Sequence, residues 1–184
     1  MATLPSWAGI LSSPYLLSSV PSLPGSPTRP GGWHNVGMLP ERLAARVILL
    51  DPDCRVLLMR YDDGPPNGSH WATPGGGLND GEEYRDGALR ELAEETGWTD
   101  IPLLDEVLRR ELTMEYAGRL VRQRERLYLA RTTVPEREIR GVEAMHASDH
   151  IAAWRWWTLA ELDTTTEKVW PRGLADVVRE ALPA

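Results

Sequence analysis

The stretch from Gly75 to Trp98, GGGLNDGEEYRDGALRELAEETGW, constrains this chain more than any other. A run of glycines leads into a segment that crowds carboxylates together. Ala88, Leu89, Leu92, Ala93 and Thr96 recur at helical spacing, which predicts a helix from Glu83 to Thr96 with Gly97 as its C-terminal stop. Glu91, Glu94 and Glu95 stand at i, i+3 and i+4, so they project from one face within one turn, and Arg90 and Glu94 are i, i+4 neighbours. Like charges this close cost stability unless a cation sits among them. A cluster of hard oxygen ligands suits Mg2+ or Mn2+, ions that keep several waters and bind phosphate oxygens. Glycine lets the backbone turn sharply and come close to a ligand, and a backbone carbonyl there, that of Gly75, can complete the shell. Glu82, at the helix start, is favoured by the helix dipole and can face Arg90 or a second metal. Taken alone, ELAEE is more often a solvated helix face than a site; the spacing across the whole stretch shifts the balance.

Around this segment the chain reads as mixed α and β. ARVILLD and RVLLMRY are apolar runs separated by PDC, a hairpin signal, and residues 62–70 form a loop by composition. WATP is a short strand leading to the glycines. Strands are predicted at 104–115 and 120–132 with Ala-Gly as the turn between them, and AAWRWWTL is a further strand. LAELD begins a short helix, and PRGLADVVREAL is an amphipathic C-terminal helix with Pro171 in its first turn. No regular βαβ repetition runs through these elements, so the expected class is α+β or an α/β/α sandwich with a mixed sheet. Residues 1–37 differ: six prolines, seven serines, one arginine and no acidic residue predict an irregular, disordered extension ahead of a domain over 38–184.

Composition excludes more than it assigns. A net charge of −7 argues against nucleic-acid binding through a basic face and against docking on an anionic membrane. No run reaches the roughly 18–20 apolar residues of a membrane span, and the apolar N-terminal patch lacks the basic flank of a signal peptide. One cysteine, Cys54, permits no internal disulfide, which fits a cytoplasmic protein.

The spacing of the acidic stretch resembles the signature of the Nudix hydrolase family: Gly, five residues, Glu, seven residues, Arg-Glu, an apolar residue, any residue, Glu-Glu, any residue, Gly, then an apolar residue. Gly76, Glu82, Arg90-Glu91, Leu92, Glu94-Glu95, Gly97 and Trp98 meet every defined position. The preceding strand pair, Trp71 and Pro74 before the glycines, and the tryptophan-rich strand with LAEL after it follow the family's order of elements, so the resemblance covers about residues 40–184. It implies a Nudix fold, with the loop–helix and a C-terminal helix packed on a mixed sheet. It also implies hydrolysis of a pyrophosphate bond in a nucleoside diphosphate linked to another moiety, with Mg2+ or Mn2+. The alternative is a catalytically silent nucleotide-binding or regulatory module of the same fold.

By position, the resemblance implies Glu91, Glu94, Glu95, Glu82 and the Gly75 carbonyl as metal ligands or their support. It implies Arg90 as the residue that orients a glutamate. One glutamate, in this helix or in a later loop, would deprotonate the attacking water, and Glu91 is the expected one. A further acidic ligand is sought in Glu125, Glu143 or Asp149, and His150 could act on a leaving group; no spacing decides among them. The one departure, Asn79 where a glutamate is frequent, falls at a variable position. Substrate contacts are expected at Gly75, Gly76, Trp71 and Arg124; Arg109, Arg110, Arg122 and Arg124 are either phosphate contacts or simply exposed strand residues, and alternating tryptophans such as Trp154, Trp156 and Trp157 are more often core. The expected partner is a small nucleotide-type substrate, with no membrane and no stable nucleic-acid binding; homodimerisation is left open.

Overall fold

The first strand runs Glu41–Leu50 (β1) and the second Val56–Asp62 (β2), an antiparallel pair closed by the PDC turn. The buried Asp51 makes that turn: its Oδ1 accepts the N–H groups of Asp53 (3.0 Å) and Arg55 (2.8 Å), and Cys54 takes a positive φ of 58°. The chain continues through β3 (Ser69–Ala72), β4 (Gly75–Gly77), α1 (Tyr84–Thr96), β5 (Leu103–Tyr116), β6 (Arg119–Arg131), α2 (Glu143–Ser148), β7 (Ile151–Trp157), α3 (Leu159–Thr164), β8 (Val169–Trp170) and α4 (Leu174–Ala181). This computed structural model describes residues 39–64, 68–135, 137–140 and 142–182. The extension expected over 1–37 lies outside the described residues.

The strands form one mixed sheet in the order β5-β6-β1-β2-β3-β8, with β4 added to β1 and β7 to β2. β1 pairs with β6, and β3 with β8, in parallel; the other pairs are antiparallel. Ala117 (φ 50°) and Gly118 (φ 74°) supply the two left-handed residues of the tight β5–β6 hairpin.

Strict alternation along β1 and β2 splits the core into two layers. Ala45, Val47, Leu49, Leu57 and Met59 pack with Ala88 and Leu92 of α1 and with Trp98 and Ile101. Ile48, Leu50, Val56 and Leu58 face the other way, onto Trp157, Leu174 and Val178, and so carry α4. Helices on both faces of a mixed sheet make the α/β/α arrangement expected.

Three local expectations are corrected. The glycines do not form a loop: Gly75, Gly76 and Gly77 pair with Arg46, Ala45 and Ala44 as β4. Leu89 does not bury against the sheet but is 40% exposed, while Glu95 takes an inward position beside Leu92 and Thr96. Pro171 is not in the first turn of α4; Gly173, in a left-handed conformation (φ 71°), caps a helix that begins at Leu174. The helix α2 forms in the stretch that holds Glu143, ahead of β7.

Candidate active site

The geometry begins with how β4 meets α1. Gly75 has a φ of 138°, and a Cβ there would lie 2.4 Å from the Ala45 carbonyl oxygen, so only glycine fits. At Gly76 a Cβ would lie 2.7 Å from both Glu91 carboxylate oxygens. The missing side chain is what lets the Glu91 carboxylate lie against the strand. From Gly77 the chain turns through Asn79, where Glu82 N–H donates to the Asn79 carbonyl (3.0 Å). Glu82 thereby faces back onto the helix.

Arg90 is the hub. Its Nε donates to Glu82 Oε1 (2.8 Å) and its Nη2 to Glu82 Oε2 (2.9 Å), a two-pronged ion pair. Nη2 also donates to the Gly77 carbonyl (2.9 Å), and Nη1 bridges Glu91 Oε1 and Glu94 Oε2, both at 2.9 Å. One guanidinium therefore ties three carboxylates to the glycine strand. Hydrogen bonds from Arg90 and from the Asn79 N–H hold the Glu82 carboxyl down at about 2. Burial raises the Glu91 carboxyl above the usual range, against the pull of Arg90.

Glu95 points elsewhere. It is 2% exposed; its Oε1 accepts the Tyr61 hydroxyl (2.6 Å) and its Oε2 the Gly75 N–H (2.9 Å). Burial pushes its carboxyl to about 8, although Tyr61, Arg46 and the Gly75 N–H all favour the ionised form. The His70 ring stacks on Tyr61 (5.3 Å, 17°), and His146 Nε2 lies 2.6 Å from the Glu95 carbonyl oxygen, joining α2 to the end of α1.

The structure thus brings together Gly75, Gly76, Glu82, Arg90, Glu91, Glu94 and Glu95. Trp71 and Arg124 stand apart from them. Trp71 belongs to the α4-side core, edge-on to Trp157 at 5.2 Å, with its Nε1 donating to Glu167 Oε2 (2.6 Å). Arg124, half exposed on β6, lies between Glu111 (3.2 Å) and Glu41 (3.1 Å). Arg109 pairs with Glu106 and Arg122 with Glu111. Glu125 is 1% exposed and bound by Arg46 and Arg110. Glu143 opens α2, and Asp149 and the exposed His150 follow it; His150, His146 and Asp62 line a hollow of about 330 Å³. The sequence reading missed Tyr61 and Arg46. An arginine inside the apolar run ARVILLD was the visible signal for the second; Tyr61 carried none.

Among the described residues, no three His, Cys, Asp or Glu side chains are arranged to hold a metal ion; Arg90 occupies the space between Glu91 and Glu94. The donor chemistry nonetheless suits a divalent cation. All the groups are hard oxygens, two of the carboxyls are raised by burial and so gain from a neighbouring positive charge, and the Gly76 cradle leaves Glu91 against the strand.

With this geometry in view, the NUDIX domain description matches residues 40–179. The chain belongs to the Nudix family. An RNA pyrophosphohydrolase of Caulobacter vibrioides is 34% identical over 148 residues, covering 72% of this chain and 80% of that protein. A second RNA pyrophosphohydrolase, from Cereibacter sphaeroides, is 31% identical over 134 residues, 65% of this chain and 77% of that protein. The Nudix fold is also that of the MutT protein from Methanosarcina mazei Go1, with a TM-score of 0.57 at 19% identity over 77% of this chain and 93% of that one. As a Nudix pyrophosphohydrolase, the chain is an enzyme that hydrolyses a pyrophosphate bond in nucleotide derivatives. Nudix hydrolases generally need divalent metal ions. Among the described residues, no helix is long and apolar enough to cross a membrane.

Proposed function

We propose that the substrate is a small nucleotide carrying its pyrophosphate at the 5′ position, and that Glu91, Glu94, Glu95 and the Gly75 carbonyl hold Mg2+ or Mn2+ against it. The observation that carries this reading is the convergence of Glu82, Glu91 and Glu94 on Arg90, with the Gly75 N–H fixed on Glu95. A bound divalent ion supplies Lewis-acid polarisation of the phosphoryl oxygens and a more acidic attacking water. Glu91 is the general base: its carboxylate lies against the glycine strand and Arg90 Nη1 fixes its orientation. Glu82 contributes by holding the Arg90 fork in place. Gly76, only partly buried, presents its backbone to the phosphates, whereas Gly75 is buried between Glu95 and Arg46. Trp71 and Arg124 have no part in this reading, given their places in the core and on the outer strand.

A second reading, a 5′-triphosphorylated RNA, draws support from the names of the relatives above. The arginines of the β5–β6 hairpin do not form a free basic face, since Arg109, Arg122 and Arg124 each face a glutamate, and this favours the small substrate. Phosphate or pyrophosphate release from nucleoside triphosphates, nucleotide sugars, dinucleoside polyphosphates and a 5′-triphosphorylated oligoribonucleotide, each with Mg2+ or Mn2+, separates the two. A kcat/KM for the oligoribonucleotide a hundredfold above every small nucleotide would reverse the preference. Absence of turnover on the whole panel would sink both.

A further inference from the structure

Arg46 is an arginine in the middle of a buried strand, and its partners are not those of a surface ion pair. Its Nη1 donates to two backbone carbonyls that bracket Pro74, those of Thr73 (2.9 Å) and Gly75 (2.8 Å). Its Nε donates to Glu125 Oε1 (2.7 Å). Glu125 is in turn held by Arg110 through its other oxygen and by Gln123 Nε2 at 3.2 Å, and Arg42 donates to Gln123. Burial opposes ionisation of Glu125, yet Arg46 and Arg110 keep it below the ordinary carboxylate range, so Glu125 is a buried anion held between two guanidinium groups.

The consequence lies at Gly75. Its N–H is bound by Glu95 and its carbonyl by Arg46, and its Cβ position is filled by Ala45 and Arg46. The residue is gripped from the helix on one side and from the sheet on the other. A carbonyl oxygen has two lone pairs; Arg46 occupies one direction and leaves the other.

We propose that Arg46 is a positioning residue of the active site: it holds the Thr73–Gly75 backbone so that the Gly75 carbonyl and the Gly75 N–H, and through the latter Glu95, keep the orientation catalysis requires. Glu125 and Arg110 fix Arg46 in turn. The proposal rests on the functional reading above, since it assigns Arg46 to the site that reading describes. A lysine cannot replace it, because one ammonium on a flexible stem does not present the planar fork that reaches two carbonyls and a carboxylate together.

The test compares wild type, Arg46→Lys and the double variant Arg46→Gln/Glu125→Gln, which avoids stranding Glu125 as a lone buried charge. Three readouts are taken: kcat and KM on the best substrate of the panel, Mn2+ affinity by electron paramagnetic resonance, and the amide chemical shift of 15N-labelled Gly75 in the metal-free protein. The expected result is at least a tenfold fall in kcat with KM within threefold, weaker Mn2+ binding and a displaced Gly75 resonance, in whichever variants fold. A folded variant with kcat within twofold of wild type and an unmoved Gly75 signal overturns the proposal. So does a rise in KM with kcat unchanged, which would make Arg46 a substrate contact. If the wild type turns over nothing on the panel, the functional reading has failed, while the Mn2+ and Gly75 readouts still decide whether Arg46 positions the strand.

Discussion

Replacing Glu95 with glutamine gives a signed, pH-dependent test of how the site is built. Glu95 is fully buried, and its carboxyl is moved from an ordinary 4.5 to about 8. Between those two values the folded chain keeps a proton that the unfolded chain has lost. The unfolded state then binds fewer protons, so stability falls as pH rises, by about 1.4 kcal/mol per pH unit. Across a window of roughly three to four units this amounts to roughly 4–5 kcal/mol, complete above the folded value and absent below the unfolded one. Glutamine keeps the shape but cannot ionise, and its single acceptor oxygen can serve only one of Tyr61 and the Gly75 N–H well. That loss is the same at every pH. Urea unfolding in EDTA at pH 5, 6, 7 and 8, followed by tryptophan fluorescence, should show the variant gaining on the wild type with every step upward. Pairwise comparison cancels the other titrating groups, Glu82 and Glu91 included. Added Mn2+ should reverse the ranking, because an ion that takes the Glu95 carboxylate expels its proton and stabilises only the wild type. A stability difference constant within about half a kcal/mol from pH 5 to 8 would refute the assigned burial of Glu95.

Three further outcomes follow from the same geometry. Gly76→Ala places a methyl 2.7 Å from both Glu91 oxygens; a displacement approaching an ångström costs on the order of 10–100-fold in rate, so steady-state assays should show a fall in kcat with a melting shift of only a few degrees. Arg90→Lys keeps one charge but loses the fork that joins Glu82, Glu91, Glu94 and the Gly77 carbonyl, and kcat should drop by about 10²-fold or more, with rates within threefold of wild type counting against the hub. Leu92→Ala removes a side chain 1% exposed between α1 and the sheet; equilibrium unfolding should show a loss of about 2–5 kcal/mol, and a loss under 1 kcal/mol would mean that α1 is not held through this layer.

What was legible in the sequence was whatever depends on spacing. The 3.6-residue period placed α1 and its Gly97 stop correctly, because a left-handed cap needs glycine and little else competes there. The apolar runs ARVILLD and RVLLMRY on either side of PDC marked the β1–β2 pair, but a continuous apolar run does not tell which residue faces which core layer. Failures came where tertiary contacts overrode local preference. Three glycines look like a loop until a neighbouring strand supplies partners, and β4 exists only because Ala44–Arg46 accept it. Helical periodicity could not tell whether Leu89 or Glu95 faces inward; Tyr61 and the Gly75 N–H compensate Glu95, and that compensation comes from residues distant in the chain. Trp71 was expected among the substrate contacts, although tryptophans in such a chain are more often core. Its register opposite Arg60 instead turns it to the α4 face, where Trp157 packs on it.

The crowding of carboxylates can now be divided into parts with different physics. Glu82, Glu91 and Glu94 share one guanidinium, so three negative charges face one positive charge and an excess of two remains. Glu95 escapes that contest by burial, staying protonated near neutral pH in the metal-free protein. A divalent cation would match the excess of two, and its field would also draw the proton from Glu95 and make it a ligand. The expected repulsion is therefore distributed: Arg90 offsets part of it, a retained proton offsets another part, and the remainder is what makes the site bind a cation. Proton release on metal binding should accordingly approach one per protein at pH 7 and vanish in Glu95→Gln, as read by titration in two buffers of different ionisation enthalpy. Equal release from both proteins would place the titrating carboxyl elsewhere, with the partly buried Glu91 next in line.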